Sequence, residues 1–312
     1  MLAFDSITRE VGAAGASCVD LFTFPGYSND FICELFPDTG AIASQASYLP
    51  QNQNNARYRM RLGDNAPQLV NWLQANDVQS NPTVRQYGVI RMDSLWPRTS
   101  AFTGTNCLNY KSHRVGPNYT IEGNILLGSQ VLDSMEARFK RQTGDLACKL
   151  MAAMQGAKMV GADSRCAPNG SSSLFAFLKV TQPTDTFGRP SFLISLKTHN
   201  GAGIEPIDSL QALFDAAHSC TVNTTGLAKT RLYRDDKIFP NPVNSLFTII
   251  SAVPGETTRV LITDVNGTLV YSASMKGRTQ VSVKNWQEGV YFVKLISDSG
   301  SMVLKILCNP TQ

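Results

Sequence analysis

The end of the chain is built from strand patterns alone, and this divides the sequence into two parts. From about residue 245, six short runs alternate apolar and polar residues, beginning with SLFTIIS and ending with SMVLKILC. Turn residues separate these runs, and Asn266-Gly267 is the strongest short signal for a β-hairpin. Asp298-Ser299-Gly300 marks a further turn. The pattern predicts a β-sandwich with Greek-key connections and no helix.

Residues 1–225 mix strand and helix patterns, which predicts an α+β domain. Helical spacing marks 67–76, 129–142 with Ser129 as N-cap, 144–159 with Asp145 as N-cap, and 208–219. Strand patterns are RQYGVIRMD, RTSAFTG, YTIEGNILLG, LFAFLKVTQ and SFLISLKT. Bunched strands and paired helices indicate helices layered on a sheet, not a doubly wound fold. Residues 226–237 are polar and predict a linker, with the sandwich domain at 238–312.

Composition excludes several classes of partner. The net charge of +4 comes from 28 basic and 24 acidic residues scattered along the chain, without the basic stripe of a nucleic-acid footprint. No run approaches the ~18 apolar residues of a membrane-spanning helix. The first ten residues include Asp5 and Arg9 and do not have the pattern of a secretory leader. We expect no cofactor.

The seven cysteines are spread too widely for a local metal motif, so we expect no metal site. Such cysteines are either buried thiols or members of long-range disulfides. An odd number leaves one cysteine unpaired within a monomer. They are Cys18, Cys33, Cys107, Cys148, Cys166, Cys220 and Cys308.

The tail resembles the C-terminal sorting domain of the type IX secretion system of Bacteroidetes. The resemblance rests on IFPNPVNS, ITDVNGTLVY, WQEGVYFVKLISDSG and the last strand, over residues 238–308. It implies a secreted or cell-surface protein that engages the type IX machinery through residues 238–312. A generic immunoglobulin-like adhesion or sugar-binding domain is the alternative.

The front half resembles the family called domain of unknown function 1028, which is assigned to the N-terminal nucleophile (Ntn) hydrolases. The matching segments lie within residues 1 to about 220: DSITREVGAAGASC, GAIASQA, AFTG, HRVGPNY, EGNILLG and GADSRC. The resemblance implies a four-layer αββα fold. It also implies a first-residue Thr, Ser or Cys nucleophile whose α-amine acts as base.

The resemblance places the nucleophile ahead of Met1. The first strand of the family typically begins Thr-Phe-Ser before the segment that matches residues 1–5. We therefore expect a longer natural chain, with a leader and the nucleophile preceding Met1. Ser17 and Cys18 end the second strand pattern and could approach the same cleft, although small residues there also suit close packing.

Four polar residues are candidates for the chemistry. Asn124 could donate to an oxyanion, and Asp163 with Arg165 could hold an amine or a substrate carboxylate. His113, predicted in a loop between strands, could act as acid or base. Structural roles are the alternative: Asn124 could pin a strand crossing, and Asp163 with Arg165 could tie down a loop.

Substrate-binding candidates are Gln45, Thr103, Ser17 and Cys18. His199 matches the family but lacks the acidic residues that usually precede it, and His218 ends a predicted helix. The sequence thus predicts a secreted amidohydrolase acting on a small amide or peptide. Cell-wall fragments are one such substrate, because some relatives carry a peptidoglycan-binding appendage. The alternative is a non-catalytic ligand-binding or structural surface protein, and a homodimer is left open.

Overall fold

Two stacked β-sheets with helices on both outer faces organise the front part of the molecule. The structure is a computed structural model that describes residues 1–93, 96–220, 236–297 and 300–310. The chain divides into two units, Met1–Val222 and Asn223–Gln312. Most of the predicted linker at 226–237 lies outside the described residues.

A six-stranded antiparallel sheet, called the large sheet below, has the strand order β10-β9-β2-β1-β8-β7. Its strands are Leu2–Phe4 (β1), Val11–Ser17 (β2), Ser112–Val115 (β7), Tyr119–Gly123 (β8), Phe175–Thr181 (β9) and Phe192–Lys197 (β10). A four-stranded small sheet runs β3-β4-β5-β6. Its strands are Cys33–Phe36 (β3), Gly40–Ala46 (β4), Arg85–Asp93 (β5) and Trp96–Thr103 (β6).

The helices complete four layers. Helices Ser129–Arg141 (α3), Leu146–Ala157 (α4) and Pro206–Ala217 (α5) share an apolar core with the large sheet. Helices Pro50–Leu62 (α1) and Ala66–Ala75 (α2) share another with the small sheet. A third core lies between the sheets, where Leu2, Phe4 and Phe177 pack against β3 and β4. The predicted αββα arrangement is therefore confirmed.

The helix signals were mostly reliable. Asp145 caps α4 by accepting from the Cys148 amide, as predicted, because its carboxylate satisfies an otherwise unpaired helical N–H. Ser129 is not an N-cap: Gly128 takes that position, without a side-chain cap, and Ser129 is the first helical residue. The pattern YTIEGNILLG forms a strand only as far as Gly123.

Helix α1 has no counterpart in the sequence predictions. Its segment PQNQNNARYRMRL is polar, and its buried row is Asn52, Gln53, Ala56 and Met60. Two of these four are amides, so the apolar spacing that identifies a helix is missing. Pro50 at the first turn and Gly63 in a left-handed conformation mark its two ends.

The C-terminal unit is all-β in its described residues. Sheets β11-β12-β15 and β14-β13-β16-β17 share one core of residues from both. The strands are Lys237–Phe239 (β11), Leu246–Ile250 (β12), Thr257–Thr263 (β13), Leu269–Lys276 (β14), Arg278–Ser282 (β15), Gly289–Ser297 (β16) and Gly300–Cys308 (β17). Asn266-Gly267 joins β13 to β14, where the Asp264 carboxylate accepts two backbone amides. The predicted turn at 298–300 lies largely outside the described residues.

The sequence left open whether the cysteines are buried thiols or members of disulfides, and the structure contains both. Cys18 is bonded to Cys166, and Cys148 to Cys220. Cys33, Cys107 and Cys308 are buried thiols. Burial raises the pKa of the Cys33 thiol to about 11, which keeps it protonated and unreactive.

Candidate functional site

A cavity of about 190 Å³ lies in the front unit, directly beyond the N-terminal end of β1. Strands β2 and β8 flank β1, and both continue past Met1. The cavity is bounded by Gly15–Ser17 on one side and Glu122–Asn124 on the other. Its apolar wall includes Ile32, Phe31, Leu126, Met135 and Met154.

Backbone pairing fixes the position of Met1 at the floor of the cavity. Leu2 pairs with Ala13 of β2 and with Thr120 of β8. The Met1 nitrogen donates to the Ala14 carbonyl at 2.9 Å, and the Ala14 amide returns a bond of 3.1 Å to the Met1 carbonyl. The cavity thus continues the line of β1 between two strands of the same sheet.

Two amide side chains, Gln45 and Asn124, form one wall, and a third, Gln86, lies behind them; these three residues are called the amide cluster. Gln86 is fully buried, and its Oε1 accepts from Gln45 Nε2 at 2.7 Å and from Asn124 Nδ2 at 3.0 Å. Its Nε2 faces Thr103 Oγ1 at 2.8 Å and the carbonyls of Gly123 at 2.9 Å and Ser112 at 3.0 Å. Gln45 and Asn124 line the cavity.

Asp163 and Arg165 form a second polar wall, called the ion-pair wall. Asp163 Oδ2 accepts from Arg165 Nη2 at 2.6 Å and from the Cys18 amide at 2.9 Å, while its Oδ1 accepts from Arg165 Nε at 2.9 Å. Arg165 Nη2 also reaches Ser17 Oγ at 3.2 Å. The hydrogen bonds to Asp163 raise the pKa of Arg165 above its ordinary value. The Cys18–Cys166 disulfide ties this loop to the end of β2.

Glu122 places a carboxylate at the base of the cavity. Its side chain is fully buried, and neither oxygen has a hydrogen-bond partner among the described residues. The Met1 nitrogen lies 4.0 Å from its Oε2. A β-carbon on Gly88 of β5 would clash with this carboxylate, so glycine is required where the two sheets meet.

Five of the eight site residues predicted from sequence line this one cavity: Ser17, Gln45, Asn124, Asp163 and Arg165. Cys18 lies beside it, but its sulfur is bonded to Cys166 and offers no thiol. Thr103 and His113 do not line it. Thr103 Oγ1 lies 2.9 Å from His113 Nδ1 and connects that ring to Gln86. His113 lies in strand β7, so the prediction of a loop there was wrong.

Sequence reasoning missed Gln86 and Glu122, which are central to the geometry. Both lie inside runs assigned to strands, and they were used only to identify those strands, not as candidate site residues. The alternation of polar and apolar residues along these strands could have identified them. Gln86 precedes the apolar stretch Tyr87–Ile90, and Thr120 and Glu122 alternate with buried Tyr119 and Ile121. Polar residues at alternating positions of otherwise buried strands point to a polar interior site.

The remaining histidines lie away from the cavity. His199 stacks on Phe22, with ring centroids 3.7 Å apart. His218 ends α5, and its Nε2 lies 2.8 Å from Asp145 Oδ2. Asp145, Cys148 and His218 bring potential metal ligands within 4.8 Å of one another. Because the Cys148 sulfur is bonded to Cys220, it supplies no thiolate to a metal.

Fold and cavity together define a four-layer αββα domain with an interior polar site, followed by a β-sandwich. Comparison with known proteins identifies both parts. The family of unknown function DUF1028 matches residues 1–196, and the chain belongs to this family. A secretion-system C-terminal sorting domain matches residues 237–309.

A solved structure of a DUF1028 protein from Silicibacter pomeroyi is similar to the chain. The TM-score is 0.54 at 22% identity, covering 69% of this chain and 87% of that one, which supports the shared fold. A DUF3244 protein from Bacteroides vulgatus with an immunoglobulin-like β-sandwich fold matches with a TM-score of 0.21 at 20% identity, covering 23% of this chain and 81% of that one. No curated protein matches.

The sorting domain makes this a secreted protein, delivered to the cell surface or exterior by the type IX machinery. Among the described residues, no helix combines the length and apolar character needed to cross a membrane.

Proposed function

We propose that the front domain is an amidohydrolase of the N-terminal nucleophile type, acting outside the cell on a small amide or peptide. The nucleophile in this proposal belongs to residues ahead of Met1 in a longer form of the chain. The cavity is where such residues would lie, because they would continue β1 between β2 and β8.

The observation that carries the proposal is the register of β1. The pairing Leu2↔Ala13 and Leu2↔Thr120, extended backwards, sets the third residue ahead of Met1 opposite Ser17 and Asn124. Alternation along the strand gives that residue the same face as Leu2 and Phe4, toward the space between the sheets. Thr-Phe-Ser ahead of Met1, the family pattern, puts Thr at this position beside the amide cluster.

The expected chemistry then uses groups already in place. The Thr hydroxyl attacks the substrate carbonyl while its α-amine takes the hydroxyl proton. The amine passes that proton to the leaving nitrogen as the C–N bond breaks, and water then hydrolyses the resulting ester. The Asn124 amide lines the cavity beside this position and could donate to the developing oxyanion.

The test is a chain that begins Thr-Phe-Ser-Met1, released from a cleavable fusion. Muropeptides and N-acyl amides are the substrates to be screened, with product amine as the readout. Hydrolysis by this chain supports the proposal. It should disappear when the added Thr is replaced by Ala or its α-amine is acetylated. Absence of turnover with every substrate would reject the hydrolase.

A non-catalytic ligand-binding protein is the second candidate. It is favoured by the lining of the cavity, which contains amides and apolar side chains but, among the described residues, no histidine or free cysteine. A ligand that binds to the extended chain and is recovered unchanged would support this alternative.

A further inference from the structure

We infer that Gln86 is a positioning residue that fixes the direction of the Gln45 and Asn124 amides, so that the cavity recognises an amide group. The role in catalysis rests on the proposed function. The orientation itself rests only on the contacts of Gln86.

Two backbone carbonyls determine the orientation of the Gln86 side-chain amide, that is, which end is the NH₂ group and which is the oxygen. Its Nε2 is 2.9 Å from the Gly123 carbonyl and 3.0 Å from the Ser112 carbonyl. A backbone carbonyl can only accept, so the atom facing both must be the donor NH₂. The reversed amide would set Oε1 against two oxygens. The other end of the Gln86 amide is therefore the acceptor Oε1.

This acceptor in turn orients two more side chains. Gln45 and Asn124 both approach Oε1, at 2.7 and 3.0 Å, and each must present its NH₂ end to it. Each amide then keeps one N–H and its carbonyl oxygen unused by Gln86. The described residues supply no other partner to these groups, and both side chains line the cavity.

The N–H and carbonyl groups of Gln45 and Asn124 that do not bond to Gln86 determine which ligand the cavity suits. Such a cavity can donate to a ligand acceptor through an N–H and accept from a ligand donor through a carbonyl oxygen. A substrate amide has its carbonyl oxygen and its N–H, whereas an ester lacks the N–H and would leave an acceptor unpaired. Within the proposed function, the amide cluster therefore favours amides over esters.

Gln86 is placed for this role by burial as well as by contacts. It is fully buried in β5 and does not line the cavity, so it acts through Gln45 and Asn124. Both ends of the buried Gln86 amide have hydrogen-bond partners, which holds this side chain in a single orientation. Thr103 Oγ1, 2.8 Å from Gln86 Nε2, extends the network to His113.

The test measures hydrogen exchange of the side-chain NH₂ groups in the ¹⁵N-labelled protein. In the unmodified chain, one hydrogen of Gln45 and one of Asn124 should exchange about tenfold more slowly than those of exposed Gln51. In Gln86→Met this protection should be lost. The matched control is Gln53→Met, a buried glutamine of α1 with no hydrogen-bond partner among the described residues, and it should leave the protection unchanged.

Equal exchange at Gln45, Asn124 and Gln51 in the unmodified chain overturns the inference, even if Gln86→Met does not fold. Protection that survives in a folded Gln86→Met also overturns it. For the Thr-Phe-Ser-extended chain, Gln86→Met should lower kcat for amides more than it changes KM. If no form of the extended chain hydrolyses any substrate but the exchange rates still depend on Gln86, the hydrolase proposal is rejected and the positioning role of Gln86 is supported.

Discussion

The two polar walls of the cavity use their hydrogen-bonding groups in opposite ways. In the amide cluster, buried Gln86 fixes its neighbours from behind, and Gln45 and Asn124 keep unpaired groups toward the cavity. In the ion-pair wall, both Asp163 oxygens are taken up by Arg165 and by the Cys18 backbone. Residues that line the same cavity are therefore not equally available to a ligand. We assign recognition to the amide cluster and loop anchoring to Asp163.

Each wall has its own support, and removing that support should have the largest effects. Strand β5 begins at a buried ion pair, Arg85 with Asp77, at 2.8 Å. Asp77→Asn leaves the Arg85 charge unpaired in the interior and should cost about 3–5 kcal/mol. Urea unfolding measures this cost. A cost below roughly 1 kcal/mol would contradict the role given to the pair.

The same pair predicts a pH dependence. Burial acts to raise the pKa of Asp77, but the hydrogen bonds from Arg85, Asn52 and backbone amides outweigh it and hold that pKa well below its usual value. The stabilisation is therefore present above the unfolded carboxyl pKa of about 4 and is lost as pH falls further. Asp77→Asn should lack this part of the acid destabilisation. Urea unfolding curves of the unmodified chain and of Asp77→Asn, measured from pH 6 to pH 2, test this: the difference in stability between the two should shrink as the pH falls.

The support of the ion-pair wall is the Cys18–Cys166 disulfide, which closes a sequence separation of 148 residues. Replacing both cysteines by Ala should cost about 2–5 kcal/mol. The replacement should also weaken the Arg165 Nε–H signal in ¹⁵N spectra. The matched control is the Cys148–Cys220 pair, whose removal should lower stability but leave that signal intact. Loss of the signal in both variants would contradict the local role.

Asp163→Ala tests whether Asp163 is the residue that anchors the loop of the ion-pair wall. It removes the acceptor for the Cys18 amide and for Arg165, and should cost about 1.5–3 kcal/mol. Arg165→Ala should cost less than about 1 kcal/mol, because that side chain is 43% exposed. Thermal denaturation of the two variants gives the comparison. The reverse order would assign the anchoring role to Arg165.

One substitution should have the opposite sign and raise stability. Glu122→Gln replaces a buried carboxylate that has no hydrogen-bond partner among the described residues and lies 4.0 Å from the Met1 nitrogen. Because the desolvation cost of the carboxylate should outweigh this long contact, the substitution should raise stability by about 1–2 kcal/mol. The control Glu136→Gln removes a partnered carboxylate, bonded to Tyr119 and Lys140, and should lower the Tm slightly. A lower Tm for Glu122→Gln would show that its charge is compensated.

Sequence reasoning found the layers but only part of the site. Apolar spacing located α2, α3, α4 and α5, whereas α1 buries amides and gave no apolar signal. Asn124, Asp163 and Arg165 were found because they are polar residues of EGNILLG and GADSRC, two of the segments that carry the family resemblance. Gln86 was missed because its importance depends on Ser112 and Gly123, which are distant in sequence. The disulfide pairing could not be predicted either, because the spacing of seven cysteines in the sequence does not determine which of them pair.

The most direct test of the account is a crystal structure of the chain extended by Thr-Phe-Ser ahead of Met1. The account predicts that the added residues continue β1 into the cavity, with Thr paired opposite Ser17 and Asn124 and its hydroxyl on the face of the amide cluster. Added residues that leave the sheet at Met1 and pass into solvent, with the cavity unchanged, would contradict it.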